Sequence, residues 1–413
     1  RERVGALPRH RQGQFRTRRA DGKKPGWIQP DIYVRHRLVR DPPSVELPWA
    51  GVVASGDMRM TPYFVLTGAI VLAGILFPVR TPNRLAWGAA FVALVLFTGL
   101  RHKVGMDWNN YLHMSELVAS RSWWQALDVA EPAYATLLWM SSRLGLGVYG
   151  VNLIGAIIFC FGLFKCARAT SLPWLALAVA MPMLVVVVSM SANRQAVAIG
   201  LLLWLVGTWR DSGLIKRLAI ALAAATFHFS AIFFLAFIAW DLKLGRRARI
   251  ALGIFLAAGM VGYFYFSGAG SYYDELYVTG QSELTHSPGA LQHVMFNGVP
   301  ALAVLLPKRL REVMLPFPLL TQMAFVALLL IPLSLVLSTA SGRMTLYLFP
   351  VSMFVFTGLS KLIRRPAGRA VARTITGYLM LGVLAVWLNF ANSNKAHIPY
   401  RNALLVEPSE LHL

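Results

Sequence analysis

Long apolar runs recur through this chain from Tyr63 to Phe390, and they leave few folds open. A soluble protein would need a separate core for each run. A bilayer accepts each as a helical span of roughly 17–25 residues. Composition agrees: 56% of residues are hydrophobic and only 14% charged, against about 25% charged in soluble domains. The runs lie at 63–79, 85–100, 151–164, 172–189, 195–209, 250–266, 290–306, 314–337, 343–359 and 374–390. They predict an all-α, polytopic transmembrane helical bundle of about ten spans. Two further segments, 131–147 and 218–240, are helical in pattern but ambiguous: the first is short, and the second carries His228 at its middle.

Charge separates these cases. The formal net charge is +22, yet the basic residues sit in short clusters between apolar runs, as cytoplasmic loops require. No nucleic-acid-binding signature accompanies them, so nucleic acid is not an expected partner. The clusters Lys165–Arg168, Arg210–Arg217, Lys243–Arg249, Lys308–Arg311 and Lys361–Arg373 all fall on one side if 218–240 enters and leaves on the same face, as two short helices meeting near His228. The segment 131–147 is then a re-entrant or surface helix. Broken helices at membrane depth need protein or a water-filled cavity around them, so both breaks mark a candidate site. The outer side receives 101–150, 190–194, 267–289, 338–342 and the tail.

Residues 1–57 are rich in Arg, Pro and Gly, lack apolar periodicity and precede the first Met, Met58. They read as a disordered basic extension or the product of a misplaced start. The transmembrane domain is expected over 58–390 and a C-terminal tail over 391–413. Cys160 and Cys166 close one apolar run and suggest neither a disulfide framework nor a metal site.

Ionisable groups at membrane depth are costly and are functional candidates. Beyond residue 57, and apart from the basic loops and Glu407 and Glu410 of the tail, the acids are Asp107, Glu116, Asp128, Glu131, Asp274, Glu275 and Glu283. Four stretches combine polar groups with span ends. RHKVGMDWNNY (101–111) holds Arg101 and Asp107 around a Gly105 turn. SANRQ (191–195) puts Arg194 at a helix start, where a guanidinium fork and backbone N–H groups attract an anion. FHFS (227–230) holds His228, suited to proton transfer, beside Ser230. STASGRMTLY (338–347) opens a span with Arg343. Glu131, in EPAY, balances the arginines or acts as a base. Each feature also has a plainer reading, as an ion pair or packed histidine that holds the bundle. Several outer-side arginines together favour a polyanion such as pyrophosphate. Neither a phosphate-binding loop nor a metal-ligand cluster occurs, and no metal or other cofactor is expected.

The order of these stretches resembles the EpsG-like family of bacterial exopolysaccharide proteins, relatives in style of the Wzy-type polysaccharide polymerases. The matching residues are Arg101, Gly105, Asp107 and Tyr111; Glu131 and Tyr134; Arg194 and Gln195; His228 and Ser230; and Arg343. The resemblance covers roughly 60–390. It departs at Met106, where Thr or Ser is more usual. It implies a bacterial cytoplasmic-membrane protein that polymerises oligosaccharide repeats carried on undecaprenyl pyrophosphate, at the outer face. In that reading Asp107, Glu131 or His228 takes the acceptor proton. Arg101, Tyr111, Arg194, Gln195, Ser230 and Arg343 bind substrate, and no metal is required. Partners are the lipid-linked oligosaccharide, membrane lipids, and a chain-length regulator and export proteins. Competing readings are a flippase or transporter of lipid-linked glycan, a membrane acyl- or phospho-sugar transferase using His228, and a scaffold of an export complex.

Overall fold

A computed structural model of the chain describes residues 59–242, 245, 247, 248 and 289–411. The extension 1–57, the run 250–266 and the acids Asp274, Glu275 and Glu283 lie outside the described residues. Among the described residues the fold is all-helical, without strands; Arg101 and Asn402 meet in an isolated antiparallel bridge.

The apolar runs form helices, but they differ in length. Gly147–Ala169 and Pro366–Phe390 are long and apolar enough to cross a membrane. Two bent pairs could each make one further span: Lys308–Met314 with Pro318–Leu333, bent by 96°, and Ser338–Leu348 with Pro350–Leu362, bent by 52°. Thr61–Leu76, Arg84–Gly99, Pro173–Ser189, Asn193–Gly207, Phe229–Asp241 and Ala290–Leu305 are apolar but shorter. A 16-residue helix rises roughly 24 Å, short of a hydrocarbon core of about 30 Å. Two to four of the described helices or helix pairs therefore meet the length of a full span, fewer than the ten that the runs suggested. The difference has a backbone cause. Pro300, Pro332 and Pro350 interrupt or open helices inside the runs, and hydropathy does not see where an axis bends.

The two ambiguous segments are, respectively, short and broken in the structure. Pro132–Arg143 is a 12-residue helix, too short to span. Residues 214–241 double back: Leu214–Phe227 ends at His228, whose backbone is extended at φ −154° and ψ 113°, and a 3-10 turn then leads into Leu235–Asp241. Arg217, near the start, pairs with Asp241 at the end, so both ends lie on one side with His228 at the tip.

Close backbone contact holds the centre. Gly147–Ala169 and Asn193–Gly207 cross where a Cβ on Gly162 would come within 1.7 Å of Gly200 O, and one on Gly200 within 2.5 Å of Phe159 Cα. Small residues let membrane helices approach in this way. The approach also brings Asn152, near one helix start, beside Asn193, at the start of the other. Pro173–Ala180 continues as a π-helix over Met181–Ser189, a form often found beside functional sites, and delivers the chain to Ser191.

Candidate functional site

The polar groups gather at one end of these helices, starting with the loop after Arg84–Gly99. The last carbonyls of a helix have no partner within it. Here Arg101 Nη1 donates to Thr98 O at 2.6 Å, Tyr400 OH to Phe97 O at 3.0 Å, Asn402 Nδ2 to Leu96 O at 3.1 Å and Ala403 N to Leu100 O at 2.7 Å. A cation is favourable at that helix end. Arg101 Nη2 also donates to Asn152 Oδ1 at 3.1 Å, and the side chain is 1% exposed. Arg101 is thus a cap beneath the site, shielded from any ligand above it. Sequence pattern had grouped it with Arg194 and Arg343.

Gly105 has φ +110°, and a Cβ there would meet Met190 O at 1.9 Å; only glycine fits. Its N–H donates to Ala396 O at 2.7 Å, and Met106 N donates to Ser191 Oγ at 3.3 Å. The loop is therefore stitched to both the SANRQ stretch and the tail. It ends on Asp107, whose carboxylate makes no hydrogen bond or ion pair among the described residues. Burial lifts that carboxyl above the usual range, against the opposing pull of Arg343, Arg194 and Arg101.

Glu131 is the hub. Pro132 opens the next helix, and the Glu131 side chain makes no capping bond. The carboxylate reaches outward instead. Its Oε2 accepts from Arg194 Nη1 at 2.7 Å, and its Oε1 lies 3.0 Å from His228 Nδ1. Burial alone would raise its pKa; the His228 hydrogen bond and the Arg194 charge outweigh burial and hold it at about 2. An ionised carboxylate only accepts hydrogen bonds, so in the neutral imidazole Nδ1 carries the hydrogen and Nε2 keeps its lone pair. Among the described residues Nε2 has no partner.

The remaining candidates divide by accessibility. Arg194 is half-buried and Arg343 exposed, so both guanidinium groups can meet a ligand. Gln195 Nε2 donates to Arg343 O at 2.9 Å and ties the two arginine-bearing segments together. Tyr111 is buried and its hydroxyl accepts from Arg194 N at 3.5 Å. Ser230 Oγ and Tyr347 OH lie 2.8 Å apart. These three hold segments in place more directly than they face a ligand. Glu116 and Asp128 are exposed and make no contact with the cluster. No three His, Cys, Asp or Glu side chains gather as a metal site among the described residues.

Sequence reasoning missed the amide network and the tail. Asn193 Nδ2 donates to Asn152 Oδ1 at 3.0 Å and to Tyr134 OH at 3.2 Å. Asn152 is a lone amide in an apolar run, and that was the available signal. The tail, which carries no such signal in sequence, packs against the loop. His397 is 1% exposed, its Nε2 lies 3.3 Å from Ser191 Oγ, and its carbonyl accepts from Tyr63 OH at 2.7 Å. The Tyr400 ring stacks on Phe97 at 4.5 Å.

Comparison with protein-family models gives a match to the EpsG family over residues 84–402. No curated protein and no solved structure matches the chain. The matched region takes in the loop, Glu131, Arg194, His228, Arg343 and the tail as far as Asn402, and covers most of the sequence: the chain belongs to the EpsG family.

Proposed function

We propose that this membrane exopolysaccharide-related protein is a polymerase that joins polyprenyl-pyrophosphate-linked oligosaccharide repeat units at the outer face of the bacterial cytoplasmic membrane. One observation carries the reading: Glu131 is held between Arg194 and His228, with Arg343 on the neighbouring segment tied through Gln195. Two accessible guanidinium groups suit a pyrophosphate, and a carboxylate-oriented imidazole suits proton abstraction.

His228 Nε2 takes the proton of an acceptor sugar hydroxyl. The hydroxyl oxygen bonds to the anomeric carbon of the donor. The bond from that carbon to the pyrophosphate oxygen breaks, and polyprenyl pyrophosphate leaves with the electron pair. Arg194 and Arg343 stabilise the charge that develops on it, and Glu131 stabilises the imidazolium that forms. Glu131 itself is a poor base, because its two partners hold its pKa low. Asp107, unpaired and raised, is placed to accept a hydrogen bond from a sugar hydroxyl. In the orientation that the basic loops favour, about ten segments cross or enter the membrane, and the cluster faces outward.

The test uses purified protein in lipid, supplied with undecaprenyl-pyrophosphate oligosaccharide, with product length read on a gel. His228→Ala, Arg194→Ala and Arg343→Ala are each expected to slow polymer formation by roughly 10²–10⁴. Polymer made at the native rate by both arginine variants would overturn the pyrophosphate assignment.

A further inference from the structure

A second site lies at the opposite end of the same helices. Arg84 opens Arg84–Gly99, and Lys165 and Arg168 close Gly147–Ala169. Arg168 stands 16 residues beyond Asn152, roughly 24 Å along the helix. Between the two helices is a recess of about 470 Å³ with these three basic side chains around it. Among the described residues none of the three has a carboxylate within ion-pair distance. All three are exposed. Two are stacked on rings of the recess: the Arg168 guanidinium lies 5.9 Å from the centre of the Trp87 ring, and the Lys165 ammonium 5.4 Å from that of Phe161.

Below the basic rim the lining turns apolar. Phe91 and Phe161 lie seven residues from Arg84 and Arg168 on their own helices, roughly 10 Å deeper. Phe164 fills the floor, with ring centres 4.7 Å from Trp87 and 5.3 Å from Phe91. Gly88 leaves the wall open, since a Cβ there would meet nothing within 4 Å. The recess thus joins an unneutralised cationic mouth to a hydrocarbon-lined groove about two helical turns deep. A free phosphate would use only the mouth. A neutral lipid would leave the three charges unmatched.

We infer that this recess binds one anionic glycerophospholipid from the leaflet opposite the polar cluster, its phosphate against Arg84, Lys165 and Arg168 and an acyl chain along Phe91, Phe161 and Phe164. Basic pockets between membrane helices take anionic headgroups in this way. The inference goes beyond the glycan reaction and rests only on residence in a membrane.

The test is native mass spectrometry of the full chain, delipidated in neutral detergent and titrated with phosphatidylglycerol, phosphatidylcholine, inorganic phosphate and a polyprenyl phosphate. One phosphatidylglycerol is expected to be retained at concentrations where phosphatidylcholine and inorganic phosphate are not. The triple variant Arg84→Ala, Lys165→Ala, Arg168→Ala is expected to weaken retention by roughly 100-fold. Gly88→Leu, which fills the groove without changing charge or removing any packing, is expected to lose the bound lipid as well. Its melting temperature reports that the fold is kept, so the test survives if the triple variant does not fold. Equal retention of the two phospholipids, or native retention by Gly88→Leu, overturns the site. Displacement of phosphatidylglycerol by an equimolar polyprenyl phosphate overturns the choice of lipid. The readout needs no glycan, so its failure is distinct from failure of the polymerase assay.

Discussion

Glu131 and Asp107 sit in one cluster yet meet opposite electrostatic fates. Glu131 has two partners and a pKa held at about 2; its pairing is complete above the ordinary glutamate value and is lost only as pH falls towards 2. Glu131→Ala leaves Arg194 without its anion and His228 without its orienting acceptor. It is expected to destabilise the fold by on the order of 3 kcal/mol and to slow polymer formation by roughly 10²–10⁴. Adding His228→Ala to it should cost little more activity if the two act as a unit, and product gels of the double variant check this. Asp107 has the reverse linkage. A raised carboxyl binds its proton more tightly when folded, so its contribution to stability falls as pH rises from the unfolded value through the folded one. Asp107→Asn is therefore expected to raise the melting temperature at pH 8 more than at a pH below the ordinary aspartate value, while reducing polymer. Melting curves at the two pH values decide it, and a variant less stable at pH 8 would refute a strained carboxylate. The sequence made both acids legible as candidates, because so few charges stand away from the basic loops. It could not separate them, since the difference lies in which side chains arrive from elements far along the chain.

At the scale of elements, two helices set the spacing of the site. The contact of Gly162 with Gly200 leaves no room for a methyl group against backbone. Gly200→Val is expected to cost about 3 kcal/mol or more and to separate Asn152 from Asn193. Thermal unfolding in detergent would show the loss, and an unchanged melting temperature would mean that the helices do not approach this closely. The hairpin at 214–241 was legible from sequence because orientation statistics constrain which loops share a side. The bends at 308–333 and 338–362 were not. An apolar run reports what surrounds a segment, and its axis is decided by prolines and by neighbours that hydropathy averages away. Arg101 shows the same limit. Its place in the motif is visible in sequence, whereas its use as a buried cap depends on Asn152 arriving from 51 residues later.

Over the whole molecule, the two ends of the helices carry different chemistry. One gathers Asp107, Glu131, Arg194, His228 and Arg343; the other carries Arg84, Lys165 and Arg168. The proposed orientation predicts that a cysteine at Ser120 reacts with an impermeant thiol reagent from outside intact cells, and that one at Ala367 reacts only after the membrane is opened. Background labelling should be low, because Cys160 and Cys166 are both free and buried. The reverse pattern would invert the site's face. The tail adds a constraint of time. Residues 396–403 complete the hydrogen bonds of the 101–107 loop, so those bonds cannot form until that stretch, about 300 residues later, has been translated and has reached the loop. A chain stopped after Phe390 should still reach the membrane fraction but make no polymer, a result that fractionation and product gels would show together. Synthesis order thus sets assembly order: the loop gains these bonds only after residues 396–403 have docked against it.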